Sequence, residues 1–480
     1  MGISDKLRDL NNEIANRETG GDRDYFEALL HPEFRMRRAS GVIVNRAEFI
    51  DAVKRRPQRR TKDVTGTELD LTAAVMCVVS MRQNDDNWKS FRNYRVFLRP
   101  DTAAAWQLLG WANEPISPQV SIVGQVPLRF TGDEETLKKL QNLSAVHVDG
   151  GRLWAACDEL TTLERLVQDT DQGGDCFIGH RSYPLGDLGV MLPDGNEKEI
   201  DAEGMDLAEG CLWVVGSHSR TRDRLKPGAV IEEALQEFAE VHQRPNRKVL
   251  FRVALEGDGD DVRPVKETTA SGDRLTTAAL IGDLTDALKD DDHLKQSLAV
   301  PAKENGLDVE GLAVFGSRVL LGLRGPVLRG WALIVEVEPQ QHPDDPTRLM
   351  IGSPPYRKHF LDLGDLGVRD LARAGEDLLI LAGPPTGLDG PVRLFRWHDA
   401  ANAKDQQIVS GPELSFVGDL PHGTGDDHPE GIALTSSPGE PAQLLVVYDS
   451  PSAARLTKGD GTLSILADIT SPLPGTSGHS

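Results

Sequence analysis

A chain of 480 residues is longer than a single growing core supports, so two domains, or one repeat array with a smaller companion, are expected. Its 75 Asp and Glu against 53 Lys and Arg leave a formal net charge of −22, which argues against general affinity for nucleic-acid backbones or anionic lipid, because both require clustered cations. No apolar run reaches the roughly 20 residues that span a bilayer, and Met1 to Leu10 has no apolar secretion core; the expectation is a cytoplasmic protein with neither nucleic-acid nor membrane partners.

The first helix is expected over residues 4 to 16, where Leu7, Leu10 and Ile14 recur at helical spacing. Tyr25, Phe26, Leu29 and Leu30 form a second short apolar stripe, and a third helix follows Asn45, an N-cap residue, with Phe49, Ile50 and Val53 on one face. The texture then changes to strands at Ala73 to Met81, Phe91 to Leu98 and Ala104 to Ala112, with a polar turn from Gln83 to Trp88.

The phrases "DYFEALLHPEFRM", "NRAEFIDAVKRR" and "SFRNYRVFLRP" followed by "AWQLLGWANEP" make residues 5 to 115 resemble the NTF2-like (SnoaL-like) α+β cone fold. That resemblance implies either a small-molecule pocket, with isomerase-type chemistry in some members, or a dimerisation and docking module. Tyr94, Arg92, Asn93 and Trp106 are the side chains that could reach a cone interior, while Trp106, Trp111 and Phe97 also read as core. The domain is drawn as residues 1 to 116.

From Pro118 the sequence repeats. A Gly-Asp phrase closes an apolar run at Gly132-Asp133, Gly186-Asp187, Gly282-Asp283, Gly364-Asp365 and Gly418-Asp419. After each copy come a small-residue strand, a turn and a strongly apolar strand, as in Glu203-Gly-Met-Asp-Leu then Cys211-Leu-Trp-Val-Val-Gly. Third strands follow, such as Val249 to Ala254, Ala332 to Val337 and Val392 to Trp397. Four short strands per unit predict a mainly β fold, a five-bladed β-propeller over residues 117 to 472, with a flexible tail at 473 to 480.

The run Gln125 to Asp133 has the pattern of a fourth strand but precedes the first unit, so it is expected to complete the last blade and pair its edge. A strand near Leu463 to Ile469 competes for that place, and a sixth blade is the alternative. Cys77, Cys157, Cys176 and Cys211 have no CxxC or CxxH spacing and read as buried reduced thiols. The phrases "DAEGMDLAEGCLWVVGSHSR", "DVEGLAVFGSRVLLGLRGP" and "HPEGIAL" make residues 120 to 470 resemble the bacterial domain of unknown function numbered three-six-one-six, which implies the fold and no activity.

Aligned units put Ser144, Glu203, Glu310, Arg369 and Glu430 at one ring position, where each inner strand begins. The same face receives Asp158, His218, Arg220, Arg324 and Asp449, and both long insertions, 221 to 247 and 284 to 307, with Ile231, Leu235 and Phe238 on one helical face of the first. The expectation is a ligand site at this mouth for a small molecule or peptide, lined by Arg220, Arg324, Arg369, Asp158 and Asp449. Glu203, Glu310 and Glu430 suit Ca²⁺ or Mg²⁺, and with His218 they are the catalytic candidates if the mouth is a phosphoester or ester hydrolase. The same Glu residues equally suit polar clasps between neighbouring blades. The Gly-Asp aspartates read as turn residues. The N-terminal domain is assigned to homodimerisation or docking.

Overall fold

Helix α1 (Ile3–Gly20) buries Leu7 and Ile14 against the first sheet of the computed structural model. The structure describes residues 3–38, 42–54, 59–68, 72–84, 87–116, 118–169, 176–195, 198–225, 228–270, 273–435 and 442–473. Of the tail expected at 473 to 480, only Leu473 falls among them. The chain packs as two units, Met1–Pro118 and Gln119–Ser480.

In the smaller unit, α2 (Arg23–Leu29) is capped by Asp22, whose Oδ1 accepts from Tyr25 N at 3.1 Å. A capping box starts α3 (Arg46–Asp51): Glu48 N donates to Asn45 Oδ1, and Asn45 N donates to Glu48 Oε2. The sheet comprises β1 (Leu30–Arg37), β2 (Ile43–Asn45), β3 (Arg59–Glu68), β4 (Ala73–Asn84), β5 (Asn87–Leu98) and β6 (Gln107–Ile116), in the order β2-β1-β6-β5-β4-β3. Only β1 and β6 run parallel. The first three strands carry many polar residues, which hides them from an apolar-run search. β6 starts later than Ala104 because Asp101 Oδ1 holds Ala103 N and Ala104 N in a turn.

Alternation along β5 fixes the parity that the sequence left open. Asn93, Arg95 and Phe97 are buried, whereas Tyr94 is exposed and Arg92 pairs with Glu114 on the outer face. Arg95, which sequence reading passed over, lies 4.2 Å from the Trp111 ring and donates to Asn11 Oδ1 at 2.6 Å. Trp106 is partly buried, with the Arg99 guanidinium 4.4 Å from its ring.

The larger unit is mainly β. Among the described residues it builds five successive antiparallel meanders around four strands each. The first joins Leu143–Asp149, Arg152–Cys157, Thr162–Gln168 and Phe177–Pro184. The second joins Ala202–Ala208, Cys211–Gly216, Val249–Glu256 and Ala278–Ile281. The third joins Asp308–Phe315, Arg318–Leu328, Trp331–Val337 and Arg357–Asp362. The fourth joins Gly367–Ala374, Asp377–Gly383, Val392–Trp397 and Leu414–Leu420.

The fifth joins His428–Leu434, Leu444–Asp449 and Thr462–Thr470 to β7 (Ile122–Thr131), which comes from the start of the unit. Both strands that competed in the sequence are therefore used, Thr462–Thr470 third and β7 outside it. β7 also meets the outer strand of the first meander at Phe177 and Leu128.

The first strand of each meander neighbours the first strand of the next, and the fifth returns to the first. Alternation buries both faces of every sheet. Leu212 and Val214 pack toward Trp154 of the first meander, while Cys211, Trp213 and Val215 pack toward Leu321 and Leu333 of the third. One apolar layer thus fills each gap between neighbours, and β7 contributes Leu128 and Phe130 to the layer between the fifth and first. Cys157, Cys176 and Cys211 are buried free thiols, and Cys77 is partly buried.

The Gly-Asp phrase serves several turns rather than one. Asp133 caps α4 (Glu134–Lys139) through Thr136 N, Gly282 is left-handed just before the short helix Asp283–Leu288, and Asp419 stays within a strand and pairs with Arg393.

Candidate functional site

The first strand of each meander skips one residue in its pairing with the second, and in the third meander the second strand also skips Arg324. On the first strand the skipped residue is Ser144 in the first meander, Glu203 in the second, Glu310 in the third, Arg369 in the fourth and Glu430 in the fifth. A bulge frees a side chain from strict alternation and re-aims it. Five bulges at one level therefore bring five side chains from distant parts of the chain to the entrance enclosed by the inner strands.

Three of them meet. Glu203, Glu310 and Glu430 bring carboxylate oxygens within 4.8 Å of one another. Glycine follows each of these glutamates for a steric reason. A Cβ on Gly204 would lie 2.7 Å from Leu312 N of the next inner strand, and one on Gly311 would lie 2.8 Å from Leu371 Cγ. Below that level the inner strands are clasped: Asp206 Oδ2 accepts from Val314 N at 2.8 Å, and Asp370 Oδ2 accepts from Ile432 N at 2.7 Å. Arg373 reaches from the fourth inner strand to Asp206 on the second through Nε and Nη2, at 2.6 and 2.9 Å.

The charges around the three glutamates are unequal. Glu310, 1% exposed, faces Arg324 at 2.5 Å and Arg369 at 3.3 Å. Glu430 is held by Arg369 at 2.9 Å, and Arg324 also contacts Asp308. Glu203 has no ion pair or hydrogen bond among the described residues. Burial, reinforced by Asp201, Glu310 and Glu430, holds its carboxyl well above the usual range. Burial also raises Glu430 despite Arg369. Asp158 is pushed up to about 7 by burial and by Asp201 and Asp449, and its Oδ1 is buried without a hydrogen bond. Burial raises Asp308 to about 7 as well, against the pull of Arg324.

These groups open on a cavity of about 290 Å³, with Ser144, Glu203, Glu430, Asp158, Asp449 and Arg324 on its lining. Arg220 also lines it, while Arg369 is off the lining and paired with Glu310 and Glu430. Ser144 turns its hydroxyl to Ala156 O and Ala202 O. The His218 ring does not line the cavity. Its backbone is left-handed at φ 55°, the ring is buried, and burial holds it near 3, so it is neutral at ordinary pH.

Sequence reading missed Asp201 and Asp308, each two residues before a glutamate, although the repeated D-x-E-G of 201–204 and 308–311 carries that signal. It also missed Arg247, which pairs with Asp201 at 2.5 Å, and two wall cations, Arg224 and Lys303.

Solved structures similar to part of the chain include an NTF2-like protein of unknown function in nutrient uptake from Rhodospirillum rubrum, at 14% identity, covering 22% of this chain and 94% of that one, with a TM-score of 0.21. An NTF2-like protein from Cytophaga hutchinsonii is 18% identical, covers 24% of this chain and all of its own length, and has a TM-score of 0.22. The S. rosetta CaMKII hub is 18% identical over 24% of this chain and 98% of its own, also at 0.22. No curated protein matches the chain. The family model DUF3616, described as a protein of unknown function, matches residues 142–468, which include all five inner strands. Over that stretch, the greater part of its length, the chain belongs to the DUF3616 family.

Proposed function

We propose that the larger unit is a five-bladed β-propeller whose channel mouth holds a divalent cation, and on it a small ligand. The observation that carries this reading is the convergence of Glu203, Glu310 and Glu430, whose carboxylate oxygens lie within 4.8 Å of one another. Arg324 and Arg369 pair with Glu310, Glu430 and Asp308, and Arg247 with Asp201, while Arg220, Arg224 and Lys303 on the same lining form no ion pair with any of these carboxylates among the described residues. Carboxylates in such surroundings must take protons or a cation. The oxygens come from bulges on separate strands, an irregular cage that suits Ca²⁺ better than the strict octahedron of Mg²⁺. Glu203 offers a carboxylate that no arginine occupies.

Calorimetric titration of chelator-treated protein with Ca²⁺ and Mg²⁺ tests the reading. One saturable site per chain, lost in Glu203→Gln while the fold persists, is the expected result. No binding of either ion to the folded protein sinks it. For the smaller unit we retain homodimerisation or docking, the role its resemblance implies; a strictly monomeric full chain in sedimentation would remove the dimer.

Asp158 favours a second reading, hydrolysis of a phosphoester or ester at the same mouth. A carboxyl near 7 on the cavity lining can give or take a proton at neutral pH. Cation-dependent turnover of p-nitrophenyl phosphate that falls about tenfold or more in Asp158→Asn supports hydrolysis; no turnover leaves binding alone.

A further inference from the structure

The cavity separates charges of opposite sign. The inner strands supply its floor, Glu203 and Glu430 with Glu310 against them, while residues 220 to 224 and the second insertion supply a wall carrying Arg220, Arg222, Arg224 and Lys303. Arg222 is consumed internally, by Glu304 at 2.6 and 3.3 Å and by the carbonyls of Phe238 and Glu240. With the bond from Ala302 N to Arg220 O at 3.0 Å, it locks the two insertions into one wall. Arg220, Arg224 and Lys303 have no ion pair among the described residues, in a chain with 22 more acids than bases.

We infer that the ligand of this mouth carries a phosphate group, its oxygens shared between the cation on the glutamate floor and the wall of Arg220, Arg224 and Lys303. This rests on the cation reading above. Wall and floor do not collapse onto each other, so whatever joins them must be positive toward the floor and negative toward the wall. A cation with a phosphate is such a pair. A phosphate monoester brings close to two negative charges and three free oxygens, and guanidinium forks match them in geometry. A carboxylate offers one charge and two oxygens, too few for three unpaired cations. The volume, about 290 Å³, lies at the small end of ligand pockets and restricts the ligand to a small phosphorylated molecule.

The test titrates glycerol 2-phosphate into the full-length protein, first saturated with Ca²⁺ and then stripped of it, beside sulfate, acetate and glycine as controls. Saturable binding that requires Ca²⁺ and weakens about tenfold or more in the Arg220→Ala/Lys303→Ala double variant, which still binds Ca²⁺ at least as tightly as the parent, is the expected result. If Ca²⁺ binds but glycerol 2-phosphate does not, or binds the double variant equally well, the phosphate inference falls and the cation reading stands. Glycine binding to the stripped protein would overturn it in favour of a zwitterion. Failure of the initial Ca²⁺ titration removes both readings together.

Discussion

Arg369 lies 2.9 Å from Glu430 through Nη2, and the same guanidinium reaches Glu310 through Nε at 3.3 Å. One cation from the fourth inner strand thus fastens the third and the fifth. Removing one partner of such a buried group strands the others, at a cost of about 3–5 kcal/mol. Arg369→Ala is expected to lower the melting temperature sharply in chelator, and Ca²⁺ should restore more of the loss than it adds to the parent protein. Equal Ca²⁺ shifts in both would contradict a shared site.

Gly204 and Gly311 make a steric prediction independent of charge. An added Cβ would press on backbone and core of the next inner strand, at 2.7 and 2.8 Å. Overpacking of this kind costs about 1–3 kcal/mol. Gly204→Ala should therefore shift the urea midpoint downward, whereas Gly124→Ala, with open space around its Cβ and no left-handed backbone, should cost less. Similar midpoints for the two variants would refute the close approach.

Asp206 holds Val314 N and both Nε and Nη2 of Arg373 while 4% exposed. Asp206→Ala leaves a buried amide and a guanidinium without their acceptor, and about 3–5 kcal/mol should be lost. Arg373→Met keeps much of the volume, retains the Val314 bond and should cost less. Chemical denaturation of both variants decides the order.

Apolar patterning made the repeats legible, because each of the five inner hairpins buries both faces and so shows as small and branched residues at a fixed interval. Glu203, Glu310 and Glu430 were visible through the glycine behind each, which close strand approach requires. The bulges were not visible, since a skipped register position leaves no mark in composition. His218 stands level with the mouth in sequence, yet its left-handed backbone sends the ring elsewhere. Arg95 escaped notice because parity along β5 depends on pairing with β4 and β6, which no local pattern states.

Protonation gives a signed expectation. Asp158 and Asp308 sit near 7 in the folded chain, above their ordinary value of 3.8. Groups raised in this way lend stability that is full below about pH 4 and lost as pH rises through about 7. Chelated protein should therefore melt lower at pH 8 than at pH 5.5. Ca²⁺ competes with those protons, so its affinity should climb over the same interval and then level off. A Ca²⁺ affinity that is flat between pH 5.5 and 8 would contradict this assignment.

β7 settles an order of events in biosynthesis. Gln125 on β7 donates to Asp468, which lies 343 residues later. A ribosome releases β7 long before its partner strand exists, and the fifth sheet cannot assemble until Thr462–Thr470 has emerged. Long-range pairing of this kind is slow and leaves a strand edge waiting in the meantime. A transcript truncated ahead of Thr462 would leave the β7 edge that faces Thr462–Thr470 permanently unmatched, an edge that invites pairing with other chains.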